Sequence, residues 1–175
     1  MDIFNRVNSG GTKLSKGDLA LAKIGASWPE VRQEINGELA RWKQAGFDFR
    51  VDYLLCGVNA IVTGEALFSA LDGGSTTEVQ RGLKDVTTYL DGWLNIVWGR
   101  LGLDHDRVLS SKFALLVLAR FTHLNGGKPP TVAERDRLLY RFIHTGMWGR
   151  FAGSTETVLT RTCTPSRTTG STGSS

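Results

Sequence analysis

The stretch that decides how this chain folds lies near its start and predicts a helix, a loop and a second helix in succession. It reads Ile3-Phe4-Asn5-Arg6-Val7-Asn8-Ser9-Gly10-Gly11-Thr12-Lys13-Leu14-Ser15-Lys16-Gly17-Asp18-Leu19. Ile3, Phe4 and Val7 have the spacing of one helix face, as in the last turn of a helix. The glycines that follow permit backbone conformations that other residues resist, so the helix should break there.

A second helix is predicted to begin at Ser15, whose hydroxyl can cap the first turn while Asp18 completes a capping box. The loop before it offers backbone N–H groups beside Arg6, Asn8 and Lys13. A loop of this kind that runs into a helix N-terminus is a candidate anion cradle. The competing interpretation is a plain corner between two helices, and the residues by themselves favour it.

The same stretch resembles the second signature of a bacterial and archaeal domain family of unknown function, Ile-Phe-x-Arg-x-Asn-Ser-Gly-Gly-Thr-x-Leu-Ser-x-x-Asp-Leu. That domain forms the N-terminal part of GmrSD-type (type IV) restriction endonucleases and related phage-defence proteins. A later run is similar to a second family pattern: Trp148-Gly149-Arg150-Phe151-Ala152-Gly153-Ser154-Thr155-Glu156-Thr157. Together the two motifs extend the resemblance over about residues 1–159.

The resemblance implies a ParB/sulfiredoxin-like core followed by helices, the use of an NTP, and action on modified DNA. The family's first signature, Asp-Gly-Gln-Gln-Arg, lies in an upstream β-rich segment and is absent from this sequence. We therefore expect the chain to be the helical back part of a larger α+β domain, inactive by itself. Nuclease cleavage in such systems belongs to another domain or subunit.

The candidate nucleotide- or phosphate-binding residues follow from this corner. Arg6 would contact a phosphate, since a guanidinium fork suits it. Asn8 would fix the loop or the ligand, and Lys13 is a weaker second cation. The full set is Arg6, Asn8, Ser9, Gly10, Gly11 and Lys13. A secondary polar surface is predicted at Arg150, Ser154 and Glu156, where the competing interpretation is a glycine turn with Ser154 as an N-cap.

Elsewhere the pattern predicts an all-α bundle of about six to seven helices, with no sustained alternation typical of strands. Capping boxes are also predicted at Ser27, Ser75 and Thr131. The longest helix is predicted from about Thr76 to Gly99, with apolar positions from Val79 to Leu101 spaced by three and four, as in a coiled-coil seam, although a packing face within the domain is favoured. Between Ser110 and Leu124 the chain is apolar nearly all round, which is typical of a helix at the centre of a bundle, with a buried strand as the competing interpretation.

Residues 160–175 consist almost entirely of Thr, Ser, Gly, Arg, Pro and Cys, which predicts a disordered tail. A shifted reading frame permits a family-like acidic continuation, so the tail is interpreted as a frameshift product. This tail carries Arg161 and Arg167 and no acid, and therefore half of the net charge of +4. The remaining body is too nearly balanced to predict nucleic-acid binding from its charge alone.

No residue pattern indicates a catalytic triad, a phosphate-binding P-loop or a metal site. His105, between two aspartates, is interpreted as part of a loop or helix start. His123 and His144 are placed near helix C-termini, where an imidazolium would be stabilised. The carboxylates Asp48, Asp52, Asp85 and Asp91 are interpreted as solvated, and most tryptophans as core residues. Neither a signal peptide nor a membrane-spanning run is present, so the compartment is expected to be the cytoplasm.

The sequence thus predicts a phage-defence or restriction-type fragment that contributes part of a nucleotide- or DNA-phosphate-binding site. The residues themselves name no cofactor, and the NTP is implied by the resemblance alone. The alternative is a non-enzymatic helical scaffold that binds a protein partner or nucleic acid. The two differ in whether Arg6 takes part in binding nucleotide or DNA.

Overall fold

The computed structural model describes residues 15–64, 75–109 and 111–147, and this part of the chain is all-helical, as predicted. It contains six α-helices and one short 3-10 helix. Their bounds are Lys16–Gly25 (α1), Val31–Gln44 (α2), Val51–Val62 (α3), Thr76–Leu101 (α4), Asp106–Val108 (3-10), Phe113–Leu124 (α5) and Val132–Met147 (α6). Helices α3, α4 and α5 pack on one another, α1 and α2 pack on α3, and α6 packs on α5.

Three of the four predicted capping boxes form, because each depends only on residues three apart along the chain. They pair Ser15 with Asp18, Ser75 with Glu78, and Thr131 with Glu134. The fourth prediction, at Ser27, is wrong. The Ser27 hydroxyl instead donates to the carbonyl of Ile24 at 3.1 Å, and α2 begins at Val31, after Glu30.

Helix α3 is the most deeply enclosed element, since every residue from Tyr53 to Ile61 is buried. Gly57 allows the neighbouring helices to approach α3 closely. A Cβ on Gly57 would lie 2.7 Å from a methyl of Val86 in α4 and 2.9 Å from one of Leu116 in α5. The apolar segment predicted to be central, now α5, lies beside α3 and buries Ala114, Leu115, Leu116, Leu118 and Ala119, which confirms that prediction.

The apolar seam of α4 is a packing face within the domain, as favoured from its spacing. It faces α3 and α5 with six buried side chains: Val79, Leu83, Val86, Leu90, Trp93 and Val97. Most of the described tryptophans are core residues, as predicted. Trp28, Trp42 and Trp93 are buried, whereas Trp98 is 61% exposed.

Helix α3 begins at Val51, although the chain is already apolar from Phe47. Residues 47–50 lie outside any helix, and burial alternates along them, with Phe47 and Phe49 buried and Asp48 and Arg50 exposed. Phe49 stacks on Tyr53 with ring centroids 4.5 Å apart. Because the two phenylalanines are spaced by two, which is the spacing of extended chain, they extend the apolar run without extending the helix.

Several predictions fall outside the described residues. These are the helix turn and loop of residues 3–14, the polar run from Arg150 to Glu156, and the tail of residues 160–175. Among the helices that the structure does describe, none is both long and apolar enough to cross a bilayer.

Candidate functional site

The six residues predicted to bind phosphate, Arg6 to Lys13, lie outside the described part of the chain, as do Arg150, Ser154 and Glu156. The description begins at Ser15, the residue at which the predicted loop joins α1. Ser15 and the residues that it contacts are therefore the described residues nearest to the candidate corner.

Ser15 lies between two carboxylates. Its hydroxyl oxygen is 2.9 Å from Oδ2 of Asp18 and 3.0 Å from Oδ1 of Asp52 in α3. The same oxygen accepts the N–H of Asp18 at 3.0 Å. A serine hydroxyl has one proton, so it donates to one carboxylate at a time. The start of α1 is thereby tied to α3, and the loop before it leaves from a fixed point.

Asp52 faces the N-terminal ends of two helices at once. It belongs to the first turn of α3, and its Oδ1 also accepts the N–H of Gly17, in the first turn of α1, at 2.9 Å. A helix N-terminus carries partial positive charge, so a carboxylate shared by two of them is stabilised twice. The first N–H groups of α1 are thus already bonded inside the protein. A phosphate at the predicted corner would depend on the loop rather than on these groups.

Gly17 allows this contact. It is buried, and a Cβ there would overlap the Asp52 carboxylate and come within 3.2 Å of the Asp52 Cα. Sequence reasoning missed both residues and wrongly interpreted Asp52 as solvated. The available signal was a glycine placed inside the first turn of a strongly capped helix, where it would ordinarily weaken the helix.

Asp91 was also wrongly interpreted as solvated. Its Oδ1 accepts the indole N–H of buried Trp42 at 2.6 Å, and its Oδ2 lies 2.8 Å from a guanidinium nitrogen of Arg41. Arg41 bonds Glu38 as well, and these two carboxylates raise the pKa of Arg41. The network joins α2 to α4, and each of its charges has a partner, so it is structural.

At the C-terminal end of α3 the charged group is an arginine instead of a carboxylate. Arg120 of α5 donates from Nη1 to the carbonyl of Ile61 at 3.0 Å, which satisfies one of the last carbonyls of α3. Its Nη2 lies beside Gly64, 3.1 Å from where a Cβ would stand. Its Nε is buried and has no hydrogen-bond partner among the described residues. An unpaired buried donor is rare, because removing it from water costs about 1–3 kcal/mol.

His123 follows Arg120 by one helical turn and lies among charged groups of α4. Burial is the largest cause that lowers the pKa of His123, followed by the positive charge of Arg120, while Asp85 acts in the opposite direction and Arg81 adds to the lowering. The ring of Tyr89 lies 6.3 Å from the imidazole, centroid to centroid. His123 is in the last turn of α5, as predicted, and burial and two guanidiniums lower its pKa against the stabilising effect of the helix C-terminus.

The ring of Tyr89 in α4 lies beside His123. Burial, and then the charge of Asp85, raise the pKa of its phenol. The Gly126-Gly127 turn lies over the hydroxyl, since a Cβ on Gly127 would be 2.9 Å from it. Gly127 has φ +75°, which glycine adopts without strain, so the turn can remain this close.

The remaining histidines have local roles. His105 accepts the N–H of Arg107 through Nδ1 at 3.1 Å and starts the 3-10 helix, which confirms its interpretation as a helix-start residue. His144 lies in the last turn of α6 with its ring 4.1 Å from that of Tyr140. Across residues 15–64, 75–109 and 111–147, no three potential metal-ligating side chains group together.

Comparisons of this chain with protein-family models, with curated proteins and with solved structures found no match.

Proposed function

We propose that this chain is part of a restriction-type phage-defence protein and contributes one side of a nucleotide- or DNA-phosphate-binding site. The proposal rests on the motif from Ile3 to Leu19 and its resemblance to the GmrSD-type domain. The protein acts in the cytoplasm, uses an NTP, and addresses modified DNA. The family's first signature and the nuclease are supplied by another segment or subunit.

One observation carries the proposal beyond the sequence pattern. The residue that ends the predicted loop, Ser15, is bonded to both Asp18 and Asp52, so α1 starts at a fixed point against α3. A phosphate-binding loop needs such an anchor, because its N–H groups must be held in place before the ligand arrives. The two acids at this point also leave the loop cations, Arg6 and Lys13, as the charges that would attract phosphate.

The test is a titration of labelled nucleotides and of DNA, with and without modified bases, against the full chain. We expect Arg6→Ala to weaken binding about tenfold, the loss typical of a charge-assisted hydrogen bond to phosphate. Arg32→Ala is the matched control, since Arg32 is an exposed cation of α2. Binding that ignores Arg6→Ala, or that weakens equally in Arg32→Ala, would remove Arg6 from the site.

The second candidate function is a helical scaffold that binds a partner protein, and one observation favours it. Helix α6 packs mainly on α5 and leaves apolar side chains exposed: Val132 and Tyr140 at 64% each and Ile143 at 36%. Aromatic and aliphatic side chains in one exposed patch are typical of interaction surfaces. Under this alternative, Val132→Ser combined with Tyr140→Ser would abolish partner capture, whereas Arg6→Ala would leave it intact.

A further inference from the structure

Arg81 of α4 and Arg120 of α5 are cations on neighbouring helices, and neither is paired in the way that several other arginines are. Arg41, Arg50 and Arg135 each lie within 4.0 Å of a carboxylate. Arg81 and Arg120 have no such ion pair within the described ranges. Arg120 precedes His123 by about one turn of α5, and Arg81 adjoins Gly82, where a Cβ would lie 2.6 Å from a methyl of Val62, at the end of α3 that Arg120 contacts. Both guanidiniums also act electrostatically on His123.

Arg120 is held in position by its neighbours and still lacks one partner. The hydrogen bond to Ile61 fixes the guanidinium at the C-terminal end of α3, and Gly64 leaves room beside Nη2. The buried Nε remains unpaired. A guanidinium has five donors in a rigid fork, and an acceptor with several oxygens can bond more than one of them. None of the described residues provides an acceptor for Nε, so the guanidinium keeps a donor for a ligand.

We propose that Arg120, Arg81 and His123 form a binding site for a phosphate group. Arg120, which is half-buried and bonded to the carbonyl of Ile61, supplies an oriented cation, and exposed Arg81 of α4 supplies the second. His123 can donate a ring N–H, and the ring of Tyr89 lies 6.3 Å from the imidazole, centroid to centroid. Among the described residues that act on His123, two are guanidiniums and one, Asp85, is a carboxylate, so the group keeps an excess of positive charge.

A phosphate fits this group better than a carboxylate does. Phosphate carries up to two charges and several acceptor oxygens, so it can bond a guanidinium fork, a second cation and an imidazole N–H together. A carboxylate has two oxygens, and bidentate pairing with Arg120 alone would use both. The ligand is therefore inorganic phosphate or a phosphomonoester such as a nucleoside monophosphate.

This site is separate from the corner predicted around Arg6. Asp52, which anchors that corner, and Ile61, which orients Arg120, are nine residues apart on α3, or about 14 Å along the helix axis at 1.5 Å per residue. The two proposals can therefore fail independently. Arg6→Ala should leave binding at the Arg120 site unchanged.

The test is proton NMR of the full chain, whose three histidines give three imidazole signals that can be assigned by substitution. Inorganic phosphate is titrated at constant ionic strength, with sodium chloride as the reference. We expect phosphate to shift the His123 signal and to raise the pKa of His123, because a bound anion offsets the two guanidiniums. The signals of His105 and His144 should remain unchanged. A parallel titration with a nucleoside monophosphate shows which of the two sources binds more tightly.

Arg81→Ala is the decisive variant, since Arg81 is exposed and its removal leaves the packing intact. We expect it to weaken phosphate binding about tenfold, the loss of one charge-assisted hydrogen bond. Arg100→Ala is the control at the far end of the same helix and should have no effect. The proposal is overturned if phosphate leaves His123 unaffected, if chloride reproduces the shift, or if Arg100→Ala weakens binding as much as Arg81→Ala.

Discussion

The two ends of helix α3 use charge in opposite ways. At the N-terminal end, the Asp52 carboxylate lies between the starts of α1 and α3 and accepts bonds from Ser15 and Gly17. At the C-terminal end, Arg120 satisfies one carbonyl of α3 and keeps an unpaired, buried nitrogen. At the N-terminal end of α3 the polar groups are bonded to one another. At the C-terminal end the Nε donor of Arg120 has no acceptor among the described residues.

The difference separates a structural charge from a ligand-binding charge. A buried donor without an acceptor destabilises the folded state, so an arginine kept in this condition serves something other than stability. Asp52 differs, because its Oδ1 accepts two hydrogen bonds within the fold and its Oδ2 lies 3.9 Å from a guanidinium nitrogen of Arg50. We therefore expect substitutions at the N-terminal end to reduce stability, and substitutions at the C-terminal end to reduce binding.

The largest effect is expected from Gly17→Ala at the N-terminal end. The added Cβ would push the Asp52 carboxylate away from two donors, and the free energy of unfolding should fall by about 2 kcal/mol. Urea unfolding followed by tryptophan fluorescence measures this. Gly37→Ala is the control, because a Cβ at Gly37 in α2 meets nothing within 4 Å. It should stabilise the protein by up to about 1 kcal/mol. Equal effects of the two substitutions would mean that Asp52 does not depend on Gly17.

A smaller effect on stability is expected from Arg120→Met at the C-terminal end. Methionine keeps much of the apolar stem, loses the bond to Ile61, and removes the unpaired Nε. These changes oppose one another, so the free energy of unfolding should change by less than about 1 kcal/mol. The response of His123 to phosphate should disappear. A loss of stability as large as that of Gly17→Ala would show that both ends of α3 are structural.

The smallest effect is the pH dependence of His123, which faces Arg81, Asp85 and Tyr89 of α4 and Arg120 of its own helix. Because the folded-state pKa lies below the ordinary value of 6.5, the unfolded chain binds a proton more readily than the folded chain does. The contribution of the neutral imidazole is thus fully present above 6.5 and is lost as the pH falls toward the folded-state pKa. His123→Gln should flatten the fall in urea midpoint between about pH 8 and pH 5. Added phosphate should also reduce the dependence in the unsubstituted protein, and a midpoint that rises on acidification would contradict the prediction.

Local signals in the sequence were sufficient for the helices and most of their starts. The capping pairs at Ser15, Ser75 and Thr131 involve residues three apart, so the chain specifies them without distant contacts. The apolar face of α4 and the all-round apolar character of α5 were equally readable, because burial follows helical periodicity. The boundary at Val51 was not, since Phe47 and Phe49 are buried without being helical.

The candidate sites depended much more on tertiary structure. The corner from Arg6 to Lys13 is a prediction from a sequence motif and stays one, since it lies outside the described residues. The group around Arg120 had no signal in the sequence, because Arg81 and Arg120 stand far apart in the chain and neither belongs to a recognisable motif. Only the packing of α5 against α3 and α4 brings their charges to one histidine.

The sequence by itself determined an all-α chain, the faces that its long helices bury, and three of its helix starts. All of these arise from spacing over a few residues. The tertiary structure alone decided that Asp52 is a shared anchor rather than a solvated acid, and that burial and two guanidiniums lower the pKa of His123. The reason is that the protonation and bonding of a polar group depend on burial and on charges brought from other helices, and no local pattern encodes these.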